Sequence, residues 1–291
     1  MKKQTLVFII NPISGLGRQK KIESLVDQVI DKKIFEIKFK YTNAPKDATR
    51  IAEECVKENV AFVVAVGGDG TVNEVACALI NTDVKLAIIP TGSGNGIARH
   101  LKIPMNLTKS LALINFRKKL TIDTAKVNNI PFVMIAGCGF DAFIAHEFSK
   151  LKTRGLSGYI KLISKHFFQY KHDNYKLSID GETLEKEAFL IAVANCSQFG
   201  NNAYIAPEAI IDDQLLNVTI LKRFPLWSIG NIIIKLFNKK LHLSKYTETY
   251  TCKSIKITQN NPISQIDGEP INAGEELNIE ICPLSLSVLI P

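Results

Sequence analysis

Three glycine-rich segments constrain this chain more than any other feature: NPISGLGR at residues 11–18, GGDGTVNE at 67–74 and PTGSGNG at 90–96. Each follows a short apolar run with the composition of a buried strand, and each opens a stretch with helical spacing. Glycine at a strand-to-helix turn lets main-chain N–H groups approach an anion, and the helix N-terminus adds favourable dipole charge. Three such turns on one sheet edge imply a polyphosphate site.

The surrounding pattern supports that geometry. Residues 6–10, 61–66 and 86–89 read as buried strands and 35–41 as an alternating one. Residues 22–30 and 47–56, and the run containing Val72, Val75, Ala76 and Leu79, have helical spacing. Strand–helix alternation with short loops predicts a doubly wound α/β domain with a parallel sheet over residues 1–118. Ligands of such sheets sit beyond the carboxyl ends of the strands, where all three glycine loops fall. From about residue 120 the texture changes. Strand-like segments at 120–127, 132–136, 175–179, 188–194, 216–221, 254–257, 277–281 and 285–290 are interrupted by helical candidates at 158–170 and 226–241. Residues 119–291 therefore read as a mostly antiparallel, β-sandwich-like second domain with inserted helices. A chain of 291 residues accommodates two such domains.

Several residue types in these loops carry chemistry. In Gly67-Gly68-Asp69-Gly70-Thr71, an aspartate among phosphate-seeking amides repels the ligand unless it handles a metal ion or a proton. Asn73 and Glu74 follow at the start of the helix. Thr91, Gly92, Ser93 and Asn95 form a second cradle. Asn11, Ser14, Gly15, Gly17 and Arg18 form a third, with Arg18 a candidate bidentate phosphate ligand. No Gly-Lys-Ser/Thr occurs, so none of these is a P-loop. Residues 137–142 (GCGFDA) match a dinucleotide fingerprint, but no acidic residue follows where a ribose contact is expected, and the match is read as false. Near the C-terminus, IDGEP at 266–270 signals an Asp-Gly hairpin. It carries Asp267 and Glu269 as candidate general bases or metal ligands. Asp213 with neighbouring carbonyls resembles a hard cation site.

Composition narrows the class. The chain is 46% hydrophobic and 22% charged, too apolar for disorder, and its net charge of +8 favours anionic partners. The basic residues are scattered without zinc-finger spacing or an RNA-binding aromatic motif, so no nucleic-acid partner is expected. The six cysteines lack any CxxC spacing and read as buried reduced thiols. The five histidines show no metal spacing. The N-terminal MKKQTLVFII reads as a first strand rather than a signal peptide. The longest apolar candidate, residues 224–243, is broken by Lys235, Lys239 and Lys240, so no transmembrane segment is expected and the protein reads as cytoplasmic. Residues 158–170 and 224–243 combine bulky apolar side chains with lysines. Burial in the protein's own core is the favoured explanation, with peripheral contact at an anionic membrane the alternative. Nothing in the sequence sets an oligomeric state.

Taken together, in this order, NPISGLGR, TNAPKDA (42–48), GGDGTVNEV, PTGSGN, GFDA, the 201–216 region and IDGEP resemble the diacylglycerol kinase catalytic-domain family, which includes bacterial lipid kinases and sphingosine and ceramide kinases. The resemblance runs over nearly the whole length. It implies an N-terminal α/β domain, a C-terminal β-sandwich-like domain, and ATP and Mg²⁺ as cofactors. It implies that Thr42, Gly67, Gly68, Asp69, Gly70, Thr71, Asn73 and Thr91 contact ATP. Glu269 is implied as proton acceptor with Asp267 beside it, and Asp213 with the carbonyls of Ile210 and Leu215 as a structural magnesium site. Two departures stand out: Ser93 and Gly96 match the sphingosine and ceramide kinase form of the third loop, and Gln214 replaces a glycine usual in the acidic loop.

The expected reaction is transfer of the γ-phosphoryl group of ATP to a lipid hydroxyl of diacylglycerol or a sphingoid base at a membrane surface, by positioning and charge neutralisation. Which of Asp69, Asp267 and Glu269 takes the proton and which holds metal does not follow from the sequence. The rivals are an NAD kinase-like enzyme, which shares the GGDGT loop, and an inactive lipid-binding regulator. The presence of every expected acidic residue weighs against the second.

Overall fold

A computed structural model describes residues 3–14, 17, 19, 21–151 and 156–291 of the chain. It divides into two compact units: Met1–Asp123 together with Leu284–Pro291, and Thr124–Pro283.

The first unit is a parallel sheet wrapped on both faces. β1 (Gln4–Ile10), β2 (Phe35–Tyr41), β3 (Phe62–Gly67) and β4 (Lys85–Pro90) lie in the order β2-β1-β3-β4, all parallel. β3 is buried at every position, as its unbroken apolar sequence FVVAVG requires when both faces are covered. α1 (Ile22–Val29) and α5 (Leu107–Phe116) place Ile22, Val26, Leu111 and Ile114 against Leu6, Phe8, Val64 and Val66 on one face. α2 (Asp47–Lys57) and α3 (Asp69–Leu79) pack on each other and bury Ile51, Cys55, Val75 and Leu79. The chain leaves β1 towards β2 on one side, and β3 continues to β4 on the other. The strand order therefore reverses at β1/β3, the point where such sheets open a crevice for ligands.

The C-terminus returns to this unit. The end of β15 (Glu276–Leu289) adds a strand parallel to β4, pairing Val288 with Leu86, and Leu286, Val288 and Leu289 are buried. Buried Asp123, in β5 (Lys119–Val127), accepts the Leu284 N–H at 2.7 Å. The expected two-part division at 118/119 is thus corrected in two ways: the first crossing falls at 123/124, and residues 284–291 belong to the first unit. The expected strands at 277–281 and 285–290 are one continuous strand. Alternation looks the same whichever sheet a strand joins, so the sequence carried no sign of the return.

The second unit is antiparallel. β14 (Glu269–Asn272), β13 (Ile263–Ile266), β7 (Ile135–Gly139), β9 (Glu182–Ala194), β8 (Asp173–Ile179), β12 (Ser254–Thr258) and the start of β15 follow in that order. β10 (Leu216–Lys222) bridges β9 and β11 (Thr247–Cys252), and β6 (Ile130–Phe132) pairs with β5. Phe132, Leu177, Ile191, Val193, Val218, Ile255 and Ile279 fill its core. Alongside α7 (Leu156–His166) and α8 (Ile229–Phe237) runs a helix the sequence reading lacked, α6 (Phe140–Ser149), which starts directly after β7.

Residues 158–170 bury one face as expected: Leu162 is buried, Tyr159 packs on Phe148, and Phe167 and Tyr170 pack on Phe140 and Phe189, while Ile160 and Phe168 point outward. Residues 224–243 bury less than expected: Ile232 and Leu241 are buried, but Trp227, Ile233, Ile234 and Phe237 are exposed. Among the described residues no helix is long and apolar enough to cross a membrane. All six cysteines are free thiols, four of them buried.

Candidate active site

In the first unit the three glycine loops meet at the carboxyl ends of β1, β3 and β4. Backbone bonds continue the sheet to that edge: Asn11 N–H donates to Val66 O at 3.1 Å, Thr42 N–H to Ile10 O at 3.0 Å and Thr91 N–H to Gly67 O at 2.9 Å. Side chains then tie loop to loop. Asn11 Nδ2 donates to Thr71 Oγ1 at 3.1 Å, and the Ser14 and Thr91 hydroxyls share a 3.0 Å bond. Both threonines are buried. Gly15 and Arg18 of the first loop lie outside the described residues.

Gly68 caps the N-terminus of α3, and its main chain lies against that of Gly92, where a β-carbon would run into the Gly68 α-carbon. A β-carbon on Gly67 would run into the Thr71 side chain. These glycines are therefore set by contact between loops as much as by any ligand. The first N–H groups of α3 have no intrahelical acceptor and form the positive end of an eleven-residue helix dipole. An anion placed there gains both.

Asp69 lies inside this cradle, but its oxygens serve the third loop. Oδ1 accepts the Gly96 N–H at 2.6 Å and Oδ2 the Asn95 N–H at 2.7 Å, so the carboxylate caps α4 (Gly96–His100). Asn95, left-handed at φ 52°, turns its Nδ2 back to Gly92 O at 2.7 Å, and Arg99 Nε closes on Gly94 O at 2.9 Å. Burial raises the Asp69 carboxyl above its ordinary range, opposed by the two amide bonds and by Arg99. Ser93 is exposed at the tip of the loop. Asn73 Oδ1 accepts the Cys77 thiol, and Glu74 reaches the Lys46 and Ala48 amides at the start of α2.

In the second unit the Asp-Gly turn forms the hairpin its sequence indicates. Asp267 and Gly268 both have positive φ, 50° and 85°, between β13 and β14, with Ile266 opposite Glu269. The Asp267 carboxylate is buried against main chain: Oδ2 accepts Val133 N–H at 2.9 Å, and Oδ1 accepts those of Met134 and Ile135 at 2.9 and 2.8 Å. Asp267 thus anchors the hairpin through its carboxylate. Glu269 is the carboxylate of the pair with an exposed side chain.

Two further residues complete this corner. Gln265 takes the Gly268 N–H on Oε1 at 2.8 Å and donates Nε2 to Asp141 Oδ2 at 3.1 Å. Asp141 opens α6, and burial raises its carboxyl to about 7, opposed by the bonds from Gln265 and the Ala142 amide. A side chain at Gly137 would collide with Asp141 Oδ2 and crowd Gln265, so Gly137 makes room for this carboxyl. Gln265 escaped the sequence reading, although strand alternation puts it on the same face as Asp267.

The Asp213 loop is exposed. Asp213 Oδ1 accepts the Leu215 N–H at 3.0 Å, and Gln214 adopts φ 64°, the backbone that a glycine takes at no cost. The turn therefore survives the replacement of glycine, and the Asp213 side chain together with the Ile210 and Leu215 carbonyls supplies only hard oxygens, which suits magnesium. Among the described residues no group of three or more His, Cys, Asp or Glu side chains is clustered to hold a metal.

Comparison with known proteins bears on both units. Residues 5–127 match the family described as diacylglycerol kinase catalytic domain, and residues 134–290 that described as YegS C-terminal NAD kinase beta sandwich-like domain. A Yersinia pestis protein named "Probable lipid kinase YegS-like" is 32% identical, with 84% of each chain covered. The chain belongs to the diacylglycerol kinase catalytic-domain family. A Klebsiella pneumoniae member of this family with the same name is 30% identical over 84% of this chain and 83% of its own. The fold of a Bacillus anthracis diacylglycerol kinase crystal structure superposes with a TM-score of 0.75 at 22% identity, covering 100% of this chain and 98% of that one. Membership of this kinase family makes the chain a phosphotransferase with an alcohol as acceptor.

Proposed function

We propose that this protein transfers the γ-phosphoryl group of ATP to the hydroxyl of a membrane lipid, diacylglycerol or a sphingoid base. The observation that carries the reading is the loop cradle of the first unit: Gly68 against Gly92, tied by the Asn11–Thr71 and Ser14–Thr91 bonds, at the reversal of a parallel sheet. Main-chain N–H groups at the start of α3 hold the phosphates, and Thr42, Thr71, Asn73, Thr91 and Ser93 flank them. Magnesium, when bound, screens the phosphate charge, and the oxygens of Asp213, Ile210 and Leu215 suit a structural ion.

In the transfer, the bond from the γ-phosphorus to its bridging oxygen breaks, a bond to the lipid oxygen forms, and ADP leaves. Glu269 takes the hydroxyl proton. Asp69 and Asp267 act through position: the first holds the third loop on the cradle, and the second holds the hairpin from which Glu269 projects. An acceptor dissolved in a bilayer implies peripheral contact with its surface.

The rival is a soluble nucleotide acceptor, since the second unit's family carries an NAD kinase-like sandwich in its description. γ-Labelled ATP offered together with NAD, diacylglycerol and a sphingoid base separates the two. Label in the organic phase supports the proposal, and label in a phosphorylated dinucleotide overturns it.

A further inference from the structure

One segment of the second unit has chemistry the phosphotransfer site does not use. Residues 222–246 carry six basic side chains, Lys222, Arg223, Lys235, Lys239, Lys240 and Lys245, and no aspartate or glutamate. Lys222 is paired with Glu248 at 3.0 Å, while Arg223, Lys240 and Lys245 are exposed. The same segment presents Trp227 at 87% exposure, with Ile234, Leu243 and Phe237 at 60%, 61% and 50%.

The apolar exposure is organised. Within α8, Ile233, Ile234 and Phe237 fall on one stripe of about 100°, and Leu226 and Trp227 precede it in a short 3₁₀ turn, Leu226–Ser228. The opposite side of the segment is firmly attached. Ile232 and Leu241 are buried, Tyr204 N–H donates to Leu236 O at 3.0 Å, and Lys235 Nζ holds Leu243 O at 2.8 Å. Single exposed apolar residues are ordinary, but a fixed, contiguous group of large ones marks an interaction surface.

We infer that this face of α8 and its flanking turns docks on an anionic bilayer surface. Tryptophan and phenylalanine settle at the boundary of headgroups and acyl chains, and lysines on the flanks meet acidic headgroups. A second copy of the chain is a poor occupant, because apposing two such faces brings an excess of basic side chains together, the acids against the segment being Glu248 on Lys222 and Glu208 beside His242. The docking serves the lipid-kinase reading given above, but its test does not depend on it.

Trp227 is the sole tryptophan of the chain and sits on the surface in question. Its fluorescence is recorded with phosphatidylcholine vesicles, with and without phosphatidylserine, in the absence of nucleotide and of any phosphate acceptor. The expected result is a blue shift with the phosphatidylserine vesicles that reverses as salt is raised. Each lysine near an anionic surface contributes roughly fivefold in partitioning, so Lys240→Gln with Lys245→Gln weakens binding about 25-fold. Ile234→Gln with Phe237→Gln weakens it at least about tenfold by removing apolar insertion. Circular dichroism of both variants matches the wild type. Absence of a shift, a shift insensitive to both pairs of substitutions, or a shift that appears with protein concentration alone, as self-association produces, overturns the inference. Because no phosphoryl transfer is read, these outcomes leave the kinase reading untouched, and an inactive protein that still docks leaves the inference intact.

Discussion

Gly68 and Gly92 meet main chain to main chain: a β-carbon built on Gly92 lies 2.5 Å from the Gly68 α-carbon. Two loops separated by a whole helix and strand are in this way pressed into one surface. Gly92→Ala must push them apart. Overpacking of this kind costs about 1–3 kcal/mol, and the displaced amides lose their common anion. The expected outcome is a lower melting temperature and a raised KM for ATP.

The Asp69 carboxylate gives a second handle on the same surface, because it caps α4 through the Asn95 and Gly96 amides. Asp69→Asn keeps one acceptor and turns an N–H₂ group towards the other amide. Loss of such a cap costs about 1–2 kcal/mol. Denaturant unfolding is expected to show that loss together with a higher KM for ATP. An unchanged stability with a fall in kcat alone would assign Asp69 to the chemistry rather than to the loop.

The two carboxylates of the Asp-Gly-Glu hairpin should separate cleanly. Asp267→Asn places a donor against amides that need an acceptor, in a buried setting, and is expected to cost about 1–3 kcal/mol. Glu269→Gln, at an exposed position, should leave unfolding unchanged while turnover falls by orders of magnitude. Parallel unfolding curves and phosphotransfer rates for the two variants check this.

Asp141 makes stability depend on pH in an unusual sense. Burial raises its carboxyl to about 7, so the folded protein holds the proton more tightly than the unfolded chain, where an aspartic acid titrates near 3.9. Its contribution to stability is therefore full at acid pH and is lost as pH rises through about 7. Asp141→Asn removes the titration. The variant should gain on the wild type as pH is raised from about 5 to about 8, read as the difference between their melting temperatures.

Much of this was legible in the sequence where the cause is local. The glycine loops, the parallel first unit and the Asp-Gly hairpin each depend on a few adjacent residues, and each formed as its pattern indicates. What escaped depends on partners far along the chain. Asp69 finds its amides 26 and 27 residues on, and Asp267 finds its own 132 to 134 residues back, so the tethering bonds of these two candidate bases could not be read from their neighbours. Residues 137–142 look like a phosphate loop because glycine serves equally to admit an anion or a buried carboxyl, and here it admits Asp141. The return of residues 284–291 to the first sheet and the outward face of α8 are likewise decisions of packing that an apolar pattern leaves open.

The most direct measurement is transfer of labelled γ-phosphate from ATP to vesicles containing diacylglycerol or a sphingoid base, by wild-type protein and by Glu269→Gln. The expected result is label in the lipid fraction with wild type and a loss of several orders of magnitude in the variant. Equal rates for the two proteins, or wild-type label that never enters lipid, would contradict a lipid kinase working through Glu269.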